Sequence, residues 1–214
     1  MELLLASTNK KKLAELEALL TPLGVRVLTP ADVGGLPEVI EDQPDFAGNA
    51  RKKALSGATH TNRWTLADDS GLEVDALDGA PGVFSARYSG PEANDQRNNE
   101  KLLSELARLE EAGAEPLDRS ARFVCALCLT RPKKGDAEAG SEVVLEIEGQ
   151  VRGEILTSAR GTGGFGYDPL FLFTEPGHAA TGTCFAELAQ EEKSRISHRG
   201  RALQAMAEKL LQLF

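Results

Sequence analysis

The sequence contains no apolar run near the ~20 residues that a membrane-spanning helix needs, so an integral membrane helix is excluded. Its first apolar stretch, residues 2–6, is followed at once by Asn9 to Lys12. It reads as a buried strand rather than a secretory signal. Positive charge is also in short supply, with 24 Lys and Arg against 33 Asp and Glu for a net charge of −9. That balance argues against a protein that coats nucleic acid, although a local cluster of Lys and Arg can still hold a small anion. Cysteine is scarce too. The three present, Cys125, Cys128 and Cys184, are odd in number and lack framework spacing, which points to reduced thiols and a cytoplasmic setting. Cys125 and Cys128 form a C-x-x-C inside a strand-like run, where a separation of three places them on opposite faces and prevents a shared metal.

What is present is ordinary for a folded protein. Hydrophobic residues make up 41% and charged residues 27%, too apolar for disorder. The 214 residues suffice for one sizeable domain, or one domain with two lobes. No repeat or linker divides them, so a single domain over 1–214 is expected.

Hydrophobic periodicity predicts a strand at Glu2–Ala6 and a helix from about Asn9 with Leu13, Leu16, Leu19, Leu20 and Leu23 inward, stopped by Gly24. A second strand at Val25–Leu28 and a loop at 30–45 follow. Asp45 is placed to cap a helix from Phe46 to about His60. Thr65–Ala67 reads as a short buried strand ending in Asp68 and Asp69, and 70–94 as an ordered loop with a short hairpin. Asp95 to about Glu111 is an amphipathic helix with Leu102, Leu103, Leu106 and Leu109 inward. Strands are expected at about 121–130 and 143–150 around a polar turn, with Gly149 and Gly153 admitting a bend. Leu170–Phe173 is a further strand. Ser197 to Phe214 is a terminal helix with Leu203, Met206 and Leu210 inward. The alternation of strands and helices predicts an α/β fold with a hairpin-containing second lobe.

Five segments carry residues suited to chemistry. Ser7-Thr8-Asn9-Lys10-Lys11-Lys12 lies where a strand becomes a helix, and unpaired N–H groups there attract anions. No Walker loop is present, and a capped surface helix with solvated lysines accounts for the same residues. Glu41 precedes the second helix, on which Asn49 and Lys53 face one way; a surface carboxylate and a polar helix face is the alternative. Ala67-Asp68-Asp69-Ser70-Gly71 offers paired carboxylates of the kind that hold Mg²⁺ and orient water, or else an acidic turn. Two adjacent Asp repel one another unless something positive lies close. Residues 161–169 hold four glycines with Phe165 and Tyr167, rings able to stack on a purine, or form a purely structural loop. Glu191 to Gly200 gathers Lys193, His198 and Arg199 as donors before the last helix, with Ser197 as its N-cap.

Taken in order, these segments resemble the inosine triphosphate pyrophosphatase family, also called dITP/XTP pyrophosphatases. The likeness rests on Leu5 to Lys12, Phe46 to Ala54, Ala67 to Leu72, Gly79 to Gly82, Ser85 to Gly90, Gly163 to Pro169 and Glu191 to Gly200. It implies a long twisted mixed β-sheet flanked by helices, two lobes with a central nucleotide cleft, and a homodimer. It implies Mg²⁺-dependent hydrolysis of ITP, dITP and XTP to the monophosphate and pyrophosphate, with no nucleic-acid or membrane partner. By position, Ser7, Thr8, Asn9, Lys10, Lys11 and Lys12 would bind the triphosphate. Asp69 would activate water and, with Glu41, hold the metal, and Lys53 joins Asp69 in the catalytic machinery. Ser70, Phe165, Gly166, Tyr167, Asp168, Lys193, His198 and Arg199 would contact substrate. Donors from His198, Arg199 or backbone N–H groups would pair with the 6-carbonyl of hypoxanthine or xanthine and face adenine's amino group unfavourably.

The chain departs from the family at Gly48, where members usually carry Glu. The lost capping-box partner should weaken that helix start by about 1 kcal/mol. Loops at 110–118, 132–141 and 176–184 are longer than typical. A nucleotide sensor without turnover, and a pyrophosphatase for another triphosphate such as a modified pyrimidine, are the alternative classes.

Overall fold

The computed structural model describes residues 2–113, 116–133 and 140–213. Six strands form one sheet in the order β2-β1-β3-β4-β5-β6, made of β1 (Glu2–Leu5), β2 (Arg26–Leu28), β3 (Thr65–Val74), β4 (Ser120–Pro132), β5 (Ser141–Ile155) and β6 (Phe171–Phe173). β1 pairs in parallel with β2 and β3, while β5 and β6 are antiparallel, so the sheet is mixed as expected. The helices are α1 (Lys10–Leu20), α2 (Phe46–Thr61), α3 (Asp95–Ala112), α4 (Gln190–Ile196) and α5 (His198–Leu213). None of the described helices is long and apolar enough to cross a membrane. Contacts divide the chain into two units, neither contiguous in sequence.

The first unit comprises Met1–Asp69, Cys125–Gly149 and Arg201–Phe214. Its core joins Leu3 and Leu5 of β1, Leu16 and Leu20 of α1, Cys125, Leu127 and Leu129 of β4, and Leu203, Met206 and Leu210 of α5. Cys128 is also buried, and burial pushes its thiol up to about 12, which fits an inert packing role. Leu23 departs from the expected inward stripe. A 3₁₀ turn at Thr21–Leu23 carrying Pro22 tightens the chain after α1, which rotates Leu23 off the stripe and leaves it exposed.

The second unit comprises Ser70–Val124 and Gln150–Gly200. Leu72 and Val74 of β3, Leu102 and Leu106 of α3, and Phe123, Phe171, Phe173 and Phe185 build its core. Phe171 packs against Phe123 at 4.7 Å and Phe185 at 4.8 Å between ring centroids, tilted as aromatic quadrupoles favour. Leu109, expected inward, lies on the exposed side of α3.

Three elements differ in extent from their sequence reading. β3 does not stop at Ala67: it continues to Val74, so Asp68 and Asp69 lie inside a ten-residue strand. β5 runs on to Ile155 without a break at Gly149 or Gly153, because alternate burial persists through Ile147, Gly149, Val151, Gly153 and Ile155. Residues 190–196 form α4, a separate short helix before α5, and Ser197 caps α5 by accepting from Gly200 N at 3.1 Å.

Candidate functional site

In the first unit the site begins with the cap of α2. Asp45 Oδ1 accepts from Gly48 N at 2.7 Å, which satisfies one of the open N–H groups. From that start Asn49, Lys52 and Lys53 fall on one helix face, at spacings of three and four. Gly48 gives the reason for the missing Glu: a Cβ there would lie 2.8 Å from Gln43 Cβ and 3.1 Å from Gln43 Cγ. The space that a side chain would need is occupied by the Gln43 side chain and by Asp45 Oδ1, 3.0 Å away.

Strand alternation resolves the repulsion between the adjacent aspartates. Asp68 and Asp69 point to opposite faces, and each meets its own lysine. Lys12 Nζ lies 2.7 Å from Asp68 Oδ2. Lys53 Nζ donates to Asp69 Oδ1 at 3.1 Å and to Glu41 Oε1 at 2.9 Å. Asn49, fully buried, donates to Asp69 Oδ2 at 3.1 Å and accepts from Gln43 N at 3.0 Å. Asp69 is thus held at both oxygens. Burial raises its pKa above the usual carboxylate value; Lys53 opposes the rise, and Glu41 adds to it. For Lys53, burial acts against the ammonium, but Asp69 and Glu41 outweigh it and the pKa is raised. Burial sets the direction for Asp69, and the two carboxylates that share one ammonium set it for Lys53.

That surplus of negative charge fits a divalent cation. Among the described residues no group of three or more His, Cys, Asp or Glu gathers to cage a metal. Mg²⁺ typically takes one or two protein carboxylates and completes its octahedron with water and phosphate oxygens, so Glu41 and Asp69 are a sufficient donor set.

The turn into α1 is ordered by its own side chains. Asn9 N donates to Ser7 Oγ at 3.2 Å, and Asn9 Oδ1 accepts from Lys12 N at 3.4 Å, leaving Thr8 exposed. The side chains of Lys10 and Lys11 lie outside the described residues.

In the second unit, Asp168 is the buried centre of the glycine-rich turn. Its carboxylate accepts from Phe165 N at 2.7 Å and pairs with Lys193 Nζ. Gly164 precedes it at φ +74°, in the left-handed region, and an added Cβ would meet Asp168 Oδ2 at 2.1 Å, so glycine is required there. Lys193 Nζ also sits 4.9 Å from the Phe165 ring centroid. The two aromatics divide their roles. Tyr167 is buried and donates its hydroxyl to Ser85 O at 2.8 Å, so its ring is core; Phe165 is the one at the surface. Gly166 is held by α3, its N–H donating to Asp95 Oδ2 at 2.6 Å and its carbonyl accepting from Asn99 Nδ2 at 3.0 Å. His198 stacks on Phe123 at 4.9 Å, and Arg199 Nη2 donates to Ser70 Oγ at 3.0 Å; both side chains are buried.

The structure therefore gathers Glu41, Lys53 and Asp69 in one unit, and Ser70 with Arg199 and Asp168 with Lys193 in the other. Sequence reasoning missed Lys52, Asp95, Asn99 and Ser85. Lys52 had a visible signal in its position three residues after Asn49 on the same helix face, and Ser85 in opening one of the segments that carry the family likeness.

This mixed-sheet α/β protein brings two carboxylates and a lysine together beside an N-capped helix, an arrangement compatible with metal-assisted phosphate chemistry. Comparison with known proteins agrees. Residues 3–209 match the Ham1 family. The dITP/XTP pyrophosphatase of Desulfotalea psychrophila is 47% identical over 94% of this chain and 81% of its own length. That of Desulforamulus reducens is 46% identical over 100% of this chain and 98% of its own. The solved structure of a HAM1 protein from Coxiella burnetii superposes with a TM-score of 0.83 at 38% identity, covering 99% of each chain. The chain belongs to the Ham1 family.

Proposed function

We propose that this protein hydrolyses the deaminated purine nucleoside triphosphates ITP, dITP and XTP to the monophosphate and pyrophosphate. The relatives that carry the dITP/XTP pyrophosphatase name support the reaction class. The convergence of Glu41 and Asp69 on Lys53 is the observation that carries the chemistry.

The burial that raises the Asp69 pKa makes its carboxylate a better proton acceptor than a solvated aspartate. Asp69, oriented by Asn49 and Lys53, takes a proton from water as the water oxygen bonds to the α-phosphorus. The bond from that phosphorus to the bridging oxygen breaks in line, and pyrophosphate leaves with the electron pair. Lys53 and the positive end of the α1 dipole offset the charge of the phosphates. Mg²⁺ is the expected cofactor; Glu41 and Asp69 would hold it, and when bound it supplies positive charge to the phosphate oxygens. His198 and Arg199 donate to the 6-carbonyl of the base, with Phe165 as the stacking ring. Adenine would present an amino group to those donors, a buried mismatch that costs about 1–3 kcal/mol or more. A cytoplasmic homodimer belongs to the same proposal, and light scattering tests its dimeric part.

Product analysis in ¹⁸O-water tests the bond that is cleaved. The expected products are labelled IMP and unlabelled pyrophosphate. IDP with inorganic phosphate would contradict the proposal.

A further inference from the structure

Glu41 sits on a loop, and a loop carboxylate is useful only if its backbone is held. Two neighbours supply that hold. Lys52 Nζ donates to Ile40 O at 2.9 Å and to Asp42 Oδ1 at 2.8 Å, the residues on either side of Glu41. Asn49, one turn earlier on α2, accepts from Gln43 N. The side chain of Glu41 meanwhile reaches Lys53, the next residue along the helix. Consecutive lysines thus act on one loop in two ways. Lys53 meets the carboxylate, and Lys52 closes over the backbone that presents it.

The geometry points to Lys52 as a positioning residue that fixes Glu41 for its role at the Asp69 centre, an inference that rests on the function proposed for Glu41. The ion pair with Asp42 is too exposed to be explained by stability. The side chains are 39% and 53% accessible, and pairs of that kind contribute little to folding. What the contact does is remove freedom from residues 40–42. Groups that orient a metal-binding carboxylate typically change metal affinity or activity roughly 10–100-fold when removed.

The test compares Lys52→Met and Lys52→Arg with the unaltered protein in three readouts. These are amide hydrogen exchange over residues 38–45, the Mg²⁺ concentration giving half-maximal ITP turnover, and Tm. Lys52→Met should speed exchange in that segment and raise the half-maximal Mg²⁺ concentration, each roughly tenfold. Its Tm should move by less than about 3 °C, because an exposed pair is lost. Lys52→Arg, which can still donate to both a carbonyl and a carboxylate, should restore both readouts. Unaltered exchange in Lys52→Met, or faster exchange with an unaltered Mg²⁺ dependence, would overturn the assignment. If the unaltered protein failed to turn over ITP, the functional reading would fall, and the exchange comparison alone would decide whether Lys52 holds the loop.

Discussion

Replacing Lys193 by Met removes the ammonium from the best-buried ion pair of the second unit, in which the two side chains are 9% and 4% accessible. Methionine keeps much of the side-chain volume, so the perturbation is chiefly electrostatic. Asp168 would remain buried with its bond from Phe165 N and no counter-charge. Breaking one partner out of a buried pair typically costs about 3–5 kcal/mol, since the stranded charge has lost its water as well as its partner. For a chain of this length each kcal/mol shifts Tm by about 2–4 °C, so Lys193→Met should lower Tm by about 6–20 °C. Asp168→Asn in the Lys193→Met background should recover part of the loss, because a neutral amide is cheaper to bury than a lone carboxylate. Thermal denaturation of the two single variants and the double variant gives the coupling directly. The KM for ITP should rise in the same variants, because Asp168 sets the turn that presents Phe165. A Lys193→Met protein that lost under about 1 kcal/mol would refute the reasoning, since that is the value of a solvated surface pair.

Two further variants probe the first unit. Asp69→Asn should reduce turnover at least ~10²-fold by removing the proton acceptor, and it should also alter the pH dependence of stability. The folded pKa of Asp69 lies above its ordinary value, so its favourable contribution is complete below the unfolded pKa and is lost as pH rises through the folded one. The variant should therefore match or exceed the unaltered protein in Tm at pH 8, with the difference narrowing towards the ordinary carboxylate range; a lower Tm at pH 8 would contradict this. Gly48→Ala would ordinarily gain up to about 1 kcal/mol of helix propensity, but the contact with Gln43 should cancel that gain and reduce turnover through the loop; a clear rise in Tm with full activity would refute the close packing.

Periodicity and caps made the helices legible. Asp45 and Ser197 were readable as N-caps because their side-chain acceptors sit before strong apolar patterns, and both make those bonds. α4 was not readable, because Ala189 at its start offers no side-chain cap and the helix is only seven residues long. β3 looked short because Asp, Ser and Gly are poor strand formers. Within it Asp68 and Asp69 are paired with Lys12 and Lys53, charges that local propensity does not count. The candidate site was legible as a set of residue types, since Glu41, Lys53 and Asp69 were all singled out. Their division of labour was not. That Tyr167 is core and Phe165 surface depends on the Ser85 carbonyl, far away in sequence. That Lys52 grips the Glu41 loop depends on the path of a loop with no period to read.

The most direct test of the central claim is pyrophosphate release from ITP, XTP, dITP, GTP and ATP at slightly alkaline pH, with and without Mg²⁺. Fast Mg²⁺-dependent release from ITP, XTP and dITP with little from ATP is the predicted result; GTP shares the 6-carbonyl, so its rejection requires crowding or a missing partner at its 2-amino group. Equal rates on all five would contradict the base-reading role of His198 and Arg199, and no release from any would contradict the hydrolytic role of Asp69.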